Sequence, residues 1–333
     1  MRNGSRKLRF GAALALVLTG ASLAAACGSR TGLFADEYVE GGGPTPRPTT
    51  STGDGAITDA PPDRAISPDA LPPIDARIIP DVQRNDCPDA AATLVYVITT
   101  DNELFSFYPP DASFRLIGRI ACPAPAGTTP FSMAVDRNGV AQVLFNDGNL
   151  YRVSTLTAAC TQTTFRPNQQ NFGTFGMGYA TRELGPAETL FVAADNQQGP
   201  TRGLGAIDPL ANYTLTPIAN FNPPIDRAEL TGTGDGRLYG FYTKDGAVGS
   251  FIGEIDKRSA RVIGETQLRG VNQGGGWAFA AWGGDFYLFT DPDGVQASRV
   301  TRFRPSDNST SVIANLGTLI VGAGVSTCAP NIP

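Results

Sequence analysis

Residues 277–290 read Trp277-Ala278-Phe279-Ala280-Ala281-Trp282-Gly283-Gly284-Asp285-Phe286-Tyr287-Leu288-Phe289-Thr290. A run rich in small residues, a glycine turn and an apolar β-type run follow one another here. The same order returns about every 48 residues, with apolar runs at Val95-Tyr96-Val97, Val143-Leu144-Phe145, Leu190-Phe191-Val192, Leu238-Tyr239-Gly240-Phe241 and Phe286-Tyr287-Leu288-Phe289. An Asp-bearing turn and two further short alternating runs follow each of them. A period of that length is the size of one four-stranded blade, so the pattern predicts an all-β domain, a single β-propeller of five blades, with six as the alternative, which the longer insertion between Ala194 and Gly203 speaks against.

The units also predict how the ring closes. First strands fall at 133–136, 177–181, 230–234, 277–282 and 320–325, rich in glycine and alanine as strands crowding an axis require. Fourth, outermost strands fall at 114–118, 161–165, 215–219, 260–264 and 311–314. The first unit begins at its second strand near Leu94, and the last first-type strand, 320–325, has no second strand after it. The C-terminal strand is therefore expected to complete the N-terminal blade and remove the free sheet edges. The expected boundaries are 1–26 for an export signal, 27–86 for a linker and 87–333 for the propeller.

The N-terminus carries Arg2, Arg6, Lys7 and Arg9 before an apolar stretch from Phe10 to Leu23, too short to span a bilayer as a helix. Leu23-Ala24-Ala25-Ala26-Cys27-Gly28 resembles a bacterial lipoprotein lipobox. That resemblance implies acylation of Cys27 and anchoring in the lipid bilayer through its acyl chains; an ordinary signal peptide cut after Ala26 is the alternative. Gly28 in place of Asp points to an outer-membrane lipoprotein, facing the periplasm or the cell surface.

Residues 28–86 hold nine prolines, few large apolar residues and phrases such as Pro61-Pro62-Asp63. Such a segment buries too little apolar surface to offset its ordering entropy and reads as a disordered linker. As a coil its 59 residues would reach roughly 40 Å. The opening Cys27-Gly28-Ser29-Arg30-Thr31-Gly32-Leu33 and the ending Gly322-Ala323-Gly324-Val325-Ser326-Thr327-Cys328 resemble uncharacterised lipoproteins of myxobacteria and related deltaproteobacteria. The resemblance implies a cell-envelope address and supplies no activity. Taking the signal's four positive charges from the chain's −5 leaves −9 beyond it. An acidic domain without a basic stripe argues against nucleic acid as a partner.

With Cys27 set aside, Cys87, Cys122, Cys160 and Cys328 form an even set in an exported chain. Four cysteines allow three connectivities. The favoured one joins Cys122 to Cys160 between adjacent blades and Cys87 to Cys328 across the closure.

The chain contains no histidine, which removes Ser-His-Asp triads, His-based zinc sites and the commonest general base. Asp101, Asp147, Asp195, Asp245 and Asp291 recur between second and third strands, where hairpins call for Asp, Asn and Gly. The sharper alternative is a Ca²⁺ site, for which Asp291 and Asp293 are the candidates without a full ligand set; no other cofactor is implied. A glycosidase of the propeller type needs paired acids near the axis. Only Asp136, Glu229 and Asp235 lie near first strands, so a non-enzymatic binding or scaffolding module is the expectation. Loops leading from an outer strand to the next first strand line the mouth of a propeller. They supply Gln169, Gln170 and Asn171 with nearby Phe175, then Asp226 and Arg227, then Asn272, Gln273 and Trp277. Amides beside aromatic rings suit a glycan or an extended peptide, and an envelope protein is the further partner class.

Overall fold

The computed structural model describes residues 94–181, 187–195 and 203–331. Expectations for the signal, the linker, Cys27, Cys87 and the boundary at residue 87 lie outside the described residues. Within them, twenty strands form five antiparallel four-stranded sheets. Blade 1 holds β1 (Val95–Thr99), β2 (Glu103–Tyr108) and β3 (Ser113–Arg119), with β20 (Ile320–Val325) as its innermost strand. Blade 2 runs outward through β4 (Pro130–Val135), β5 (Val140–Phe145), β6 (Leu150–Ser154) and β7 (Cys160–Gln162), and blade 3 through β8 (Thr174–Thr181), β9 (Glu188–Asp195), β10 (Leu204–Asp208) and β11 (Thr214–Ala219). Blade 4 holds β12 (Ala228–Gly232), β13 (Leu238–Tyr242), β14 (Ser250–Ile255) and β15 (Val262–Leu268); blade 5 holds β16 (Trp277–Trp282), β17 (Asp285–Thr290), β18 (Arg299–Arg304) and β19 (Ser309–Asn315). No helix among the described residues is long and apolar enough to cross a membrane.

The apolar second strands have a simple cause. Successive side chains of a strand point to opposite faces, and both faces of each blade meet another blade. In β1, Val95 and Val97 pack with Tyr287 and Phe289 of blade 5, while Tyr96 and Ile98 pack with Met133 and Val143 of blade 2. In β9, Leu190 and Val192 face Leu144 of blade 2, and Phe191 and Ala193 face Leu230 and Leu238 of blade 4. Phe241 joins Phe279 and Phe286 across the blade 4–blade 5 interface. Outer strands have solvent on their far side, and β19 is mostly exposed.

The first strands touch one another all the way round the axis. Their small residues are a steric requirement. A Cβ on Gly178 of β8 would come within 2.7 Å of the Leu230 backbone in β12, and one on Gly322 of β20 within 2.7 Å of the Met133 nitrogen in β4. Closure occurs as the unit order predicts: β20 pairs antiparallel with β1, Val325 opposite Val95 and Ala323 opposite Val97.

One outer strand differs from expectation. β7 ends at Gln162, whereas the alternating run continues to Phe165. Thr163 Oγ1 turns in to donate to the Leu150 carbonyl at 2.5 Å, and Phe165 drops into the blade 2–blade 3 core, edge-on to Phe175 at 5.8 Å. Filling that core outcompetes extending an exposed edge. Cys122 and Cys160 are disulfide-bonded, as expected, and tie the segment after blade 1 to β7. Cys328 is buried and disulfide-bonded; Cys87, its expected partner, lies outside the described residues.

Candidate functional site

All first strands run the same way, so the ring has a mouth face where they begin and a base face where they end. On the base face the tail after β20 crosses the turns of several blades. Gly283 of blade 5 donates to the Pro330 carbonyl at 2.7 Å, and Gly234 of blade 4 donates to Asn331 Oδ1 at 3.1 Å. Thr327 donates to Glu188 of blade 3, and Arg137 Nη2 of blade 2 donates to Thr327 Oγ1 at 3.4 Å. Ser326 through Ala329 are buried. A cavity of about 130 Å³ remains between blades 4 and 5, bounded by Arg237, Trp282, Asp285 and Asn331, with Arg237 paired to Asp235 at 2.8 Å.

The mouth face is different. Here a cycle of side chains links four blades around the axis. Ser132 Oγ of β4 donates to Glu229 Oε2 of β12 at 2.8 Å. Glu229 also accepts from the Met177 amide of β8, and complete burial pushes its carboxyl well above the usual carboxylate range. The charge of Asp195, last residue of β9, pushes the same way. Asp195 is itself raised by burial, with Arg227 pulling it down. The Arg227 guanidinium lies 4.0 Å from the centre of the Trp277 ring, and its Nη2 donates to the Gly274 carbonyl at 3.3 Å. Trp277 closes the cycle, meeting Phe131 edge-on at 6.3 Å, next in the chain to Ser132. Beside it opens a cavity of about 260 Å³ bounded by Phe131 and Asn146 of blade 2, Gly276 and Trp277 of blade 5, and Leu319 and Val321 of blade 1.

Three buried polar groups around this mouth lack hydrogen-bond partners: both carboxylate oxygens of Asp195, Trp277 Nε1 and Gln273 Oε1. Buried polar atoms are nearly always paired, and leaving one unpaired costs about 1–3 kcal/mol. Buried atoms of Gln142, Ser250 and Thr318 are likewise without a hydrogen-bond partner, so such atoms are spread round the ring.

The structure divides the sequence-derived candidates. Arg227 and Trp277 belong to the cycle, and Gln273 borders it, its Nε2 donating to the Phe241 carbonyl at 3.2 Å. Asp226 sits beside them half-buried, its carboxyl raised by burial and then by Asp245. Asn272 is exposed. Gln170 and Asn171 are also exposed and take positive φ in a tight turn. Two candidates are structural instead. Gln169 donates to the Tyr213 carbonyl and accepts from the Leu215 amide, both at 3.0 Å, so both ends of its amide are used in holding β11. Phe175 is fully buried in the blade 2–blade 3 core and offers no platform, because β8 turns it away from the axis.

The candidate calcium ligands are likewise occupied. Asp291 is buried and accepts from the Val295 and Gln296 amides across its own turn, while Asp293 pairs with Arg299 at 3.1 Å. Among the described residues no group of three or more acids or cysteines is placed to hold a metal. Asp136 spans its own turn at the base, accepting from the Asn138 and Val140 amides at 2.9 Å, far from the mouth. Sequence reasoning missed Ser132 altogether and treated Asp195 as an ordinary turn residue. An acid such as Glu229 inside a small-residue first strand was the one available clue.

No known protein family and no curated protein matches the chain. Among solved structures it is similar to a chain of a nidogen/laminin complex, at 12% identity over 69% of this chain and 97% of that one, with a TM-score of 0.45. It is similar to TolB from Acinetobacter baumannii at 10% identity, TM-score 0.40, over 68% of this chain and 54% of TolB. A GH43_1 enzyme from Xanthomonas citri matches at 13% identity, TM-score 0.40, over 56% of this chain and 73% of the enzyme. At these values the likenesses carry no functional argument.

Proposed function

We propose that this chain is a membrane-anchored cell-envelope lipoprotein whose propeller is a binding module, its ligand taken at the mouth of the ring. Cys27 is its acylated anchor, residues 28–86 its tether, and the outer membrane its location. The observation that carries the binding reading is the mouth cavity of about 260 Å³ walled by Phe131 and Trp277. The tail across the base leaves the mouth as the natural side of approach. Phe131 and Trp277 give the pocket an aromatic wall, and Thr100, Thr129, Asn146 and Gln296 are its polar lining.

A thermal-shift screen of the mature oxidised protein against peptidoglycan fragments, oligosaccharides, short peptides and Ca²⁺ tests this. A saturable upward shift that disappears in Arg227→Ala and Trp277→Ala supports a ligand site at the mouth. A shift that survives both substitutions refutes that location. Anchoring is tested separately: Cys27→Ser moves the protein from the detergent to the aqueous phase if the acyl chains hold it.

A carbohydrate-active hydrolase is the second reading, favoured by the charge of Asp195 acting on Glu229 near the axis. Against it, the Glu229 carboxyl is wholly buried and already held by Ser132 and Met177, out of reach of a scissile bond. We therefore read the module as non-enzymatic.

A further inference from the structure

Each blade presents one outer strand edge, and four of the five are guarded against pairing with a further strand. β7 is three residues long, and its first residue, Cys160, is bridged to Cys122. β11 carries Pro217, which has no N–H to offer. β3 carries Arg115 and Arg119. β15 carries Glu265 at its centre, ion-paired with Lys244 and accepting from the Tyr242 hydroxyl at 2.7 Å. β19 has none of these devices. Ser309-Thr310-Ser311-Val312-Ile313-Ala314-Asn315 contains no charge, no proline and no glycine, and its β-branched residues favour extended chain. Among the described strands it pairs with β18 alone. Ile313 and Ala314 pack inward on the blade 1–blade 5 core, while Val312, the central residue, is 55% exposed. A bulge at Ile313 shifts the register with β18, but β3, β11 and β15 carry bulges of the same kind, so that feature does not set β19 apart.

We infer that β19 is a self-association edge, pairing antiparallel with β19 of a second copy of this chain and joining two blades into one continuous sheet. An edge that pairs with its own copy meets its own charges. Full overlap of two β15 strands would set Glu265 and its ion pair opposite another Glu265, and a β3 pair would bring Arg115 and Arg119 of both copies together. Like charges across strands destabilise a sheet. Two β19 strands meet without that conflict. Full overlap sets Val312 opposite Val312 and covers an apolar side chain that each copy alone leaves in water. An edge built for a different strand gains from charges that complement it, whereas one built for itself gains from none. The contact is two-fold and therefore closes at a dimer. It stands apart from the mouth and is independent of what binds there.

Sedimentation velocity of the oxidised full-length Cys27→Ser chain, over a series of concentrations, tests this without micelles. The expected result is a reversible equilibrium between monomer and dimer. Val312→Lys should raise the dimer dissociation constant by about ten-fold or more, because each strand then faces a second lysine. Val312→Thr, neutral and β-branched, should remain dimeric, and Ile263→Lys in β15 should leave the equilibrium unchanged. Hydrogen exchange of the Cys27→Ser chain at low and high concentration locates the contact without any change at β19: the amides of β19 slow as the dimer forms and those of β15 do not. A chain that is monomeric at every concentration overturns the inference, including the case in which β19 takes a strand of another protein. A dimer of unchanged affinity in Val312→Lys, or one whose formation leaves exchange at β19 as it was, overturns it too.

Discussion

Burial governs the titration of several acids in this ring, and the sign of its effect on stability follows directly. Glu229 and Glu188 are both raised above their ordinary value of 4.5, with burial the largest cause. A carboxyl raised in the folded state keeps its proton where the unfolded chain has released it. Its stabilising contribution is thus complete below the unfolded-state pKa and is lost as pH rises toward the folded-state value. Urea unfolding across that window should show wild-type stability falling with pH, and Glu229→Gln should flatten the slope while keeping the Ser132 contact. A variant with the wild-type slope would mean that Glu229 does not titrate there. Glu188 gives a second residue-scale prediction. Its carboxylate lies 3.9 Å from Arg137 Nε, with both side chains buried, and its raised pKa shows that burial outweighs these partners. The pair therefore adds little net stability, yet Glu188→Ala, which removes the carboxylate beside a buried guanidinium, should cost about 3 kcal/mol in chemical denaturation.

The first and fourth strands of each blade obey opposite rules. Gly178 is hemmed in by the Leu230 backbone, whereas a Cβ on Gly264 of β15 would meet nothing within 4 Å. Backbone cannot yield as a side chain can. Gly178→Ala should lower stability by about 2–3 kcal/mol, and Gly264→Ala should stay within about 0.5 kcal/mol of wild type by thermal unfolding. Equal effects would refute the crowding account. The Cys122–Cys160 bridge spans 38 residues, a loop for which chain entropy gives about 4 kcal/mol. Replacing both cysteines by serine should cost up to that amount while β7 keeps its place beside β6. At this scale the sequence was most legible where periodicity and bulk agreed, as in 277–282, and least so at β7. There an alternating run to Phe165 looked like strand, but a neighbouring blade offered that phenylalanine a buried site.

Closure is a property of the whole ring. β1 has its inward partner only because β20 returns to it, and the tail beyond β20 is held by turns of blades 2, 3, 4 and 5. A chain truncated before Ile320 should expose the inner edge of blade 1 and the apolar faces it shares with blades 2 and 5. Size-exclusion chromatography should find it aggregated, and a monomer with wild-type unfolding behaviour would show that the ring does not depend on β20.

The five-fold recurrence, the all-β class and the closing strand were determined by the sequence, because period and residue size are local properties; cysteine parity left three connectivities, and only the structure shows Cys122 joined to Cys160. The site was not determined by the sequence. Ser132, Asp195, Glu229, Arg227 and Trp277 lie on four different blades and meet only at the axis, so no spacing along the chain announces them. The loss of Phe175 and Gln169 from the candidate set has the same origin. Which way a strand turns an aromatic ring, and whether an amide spends its hydrogen bonds on the neighbouring backbone, are decided by the packing of one blade against the next.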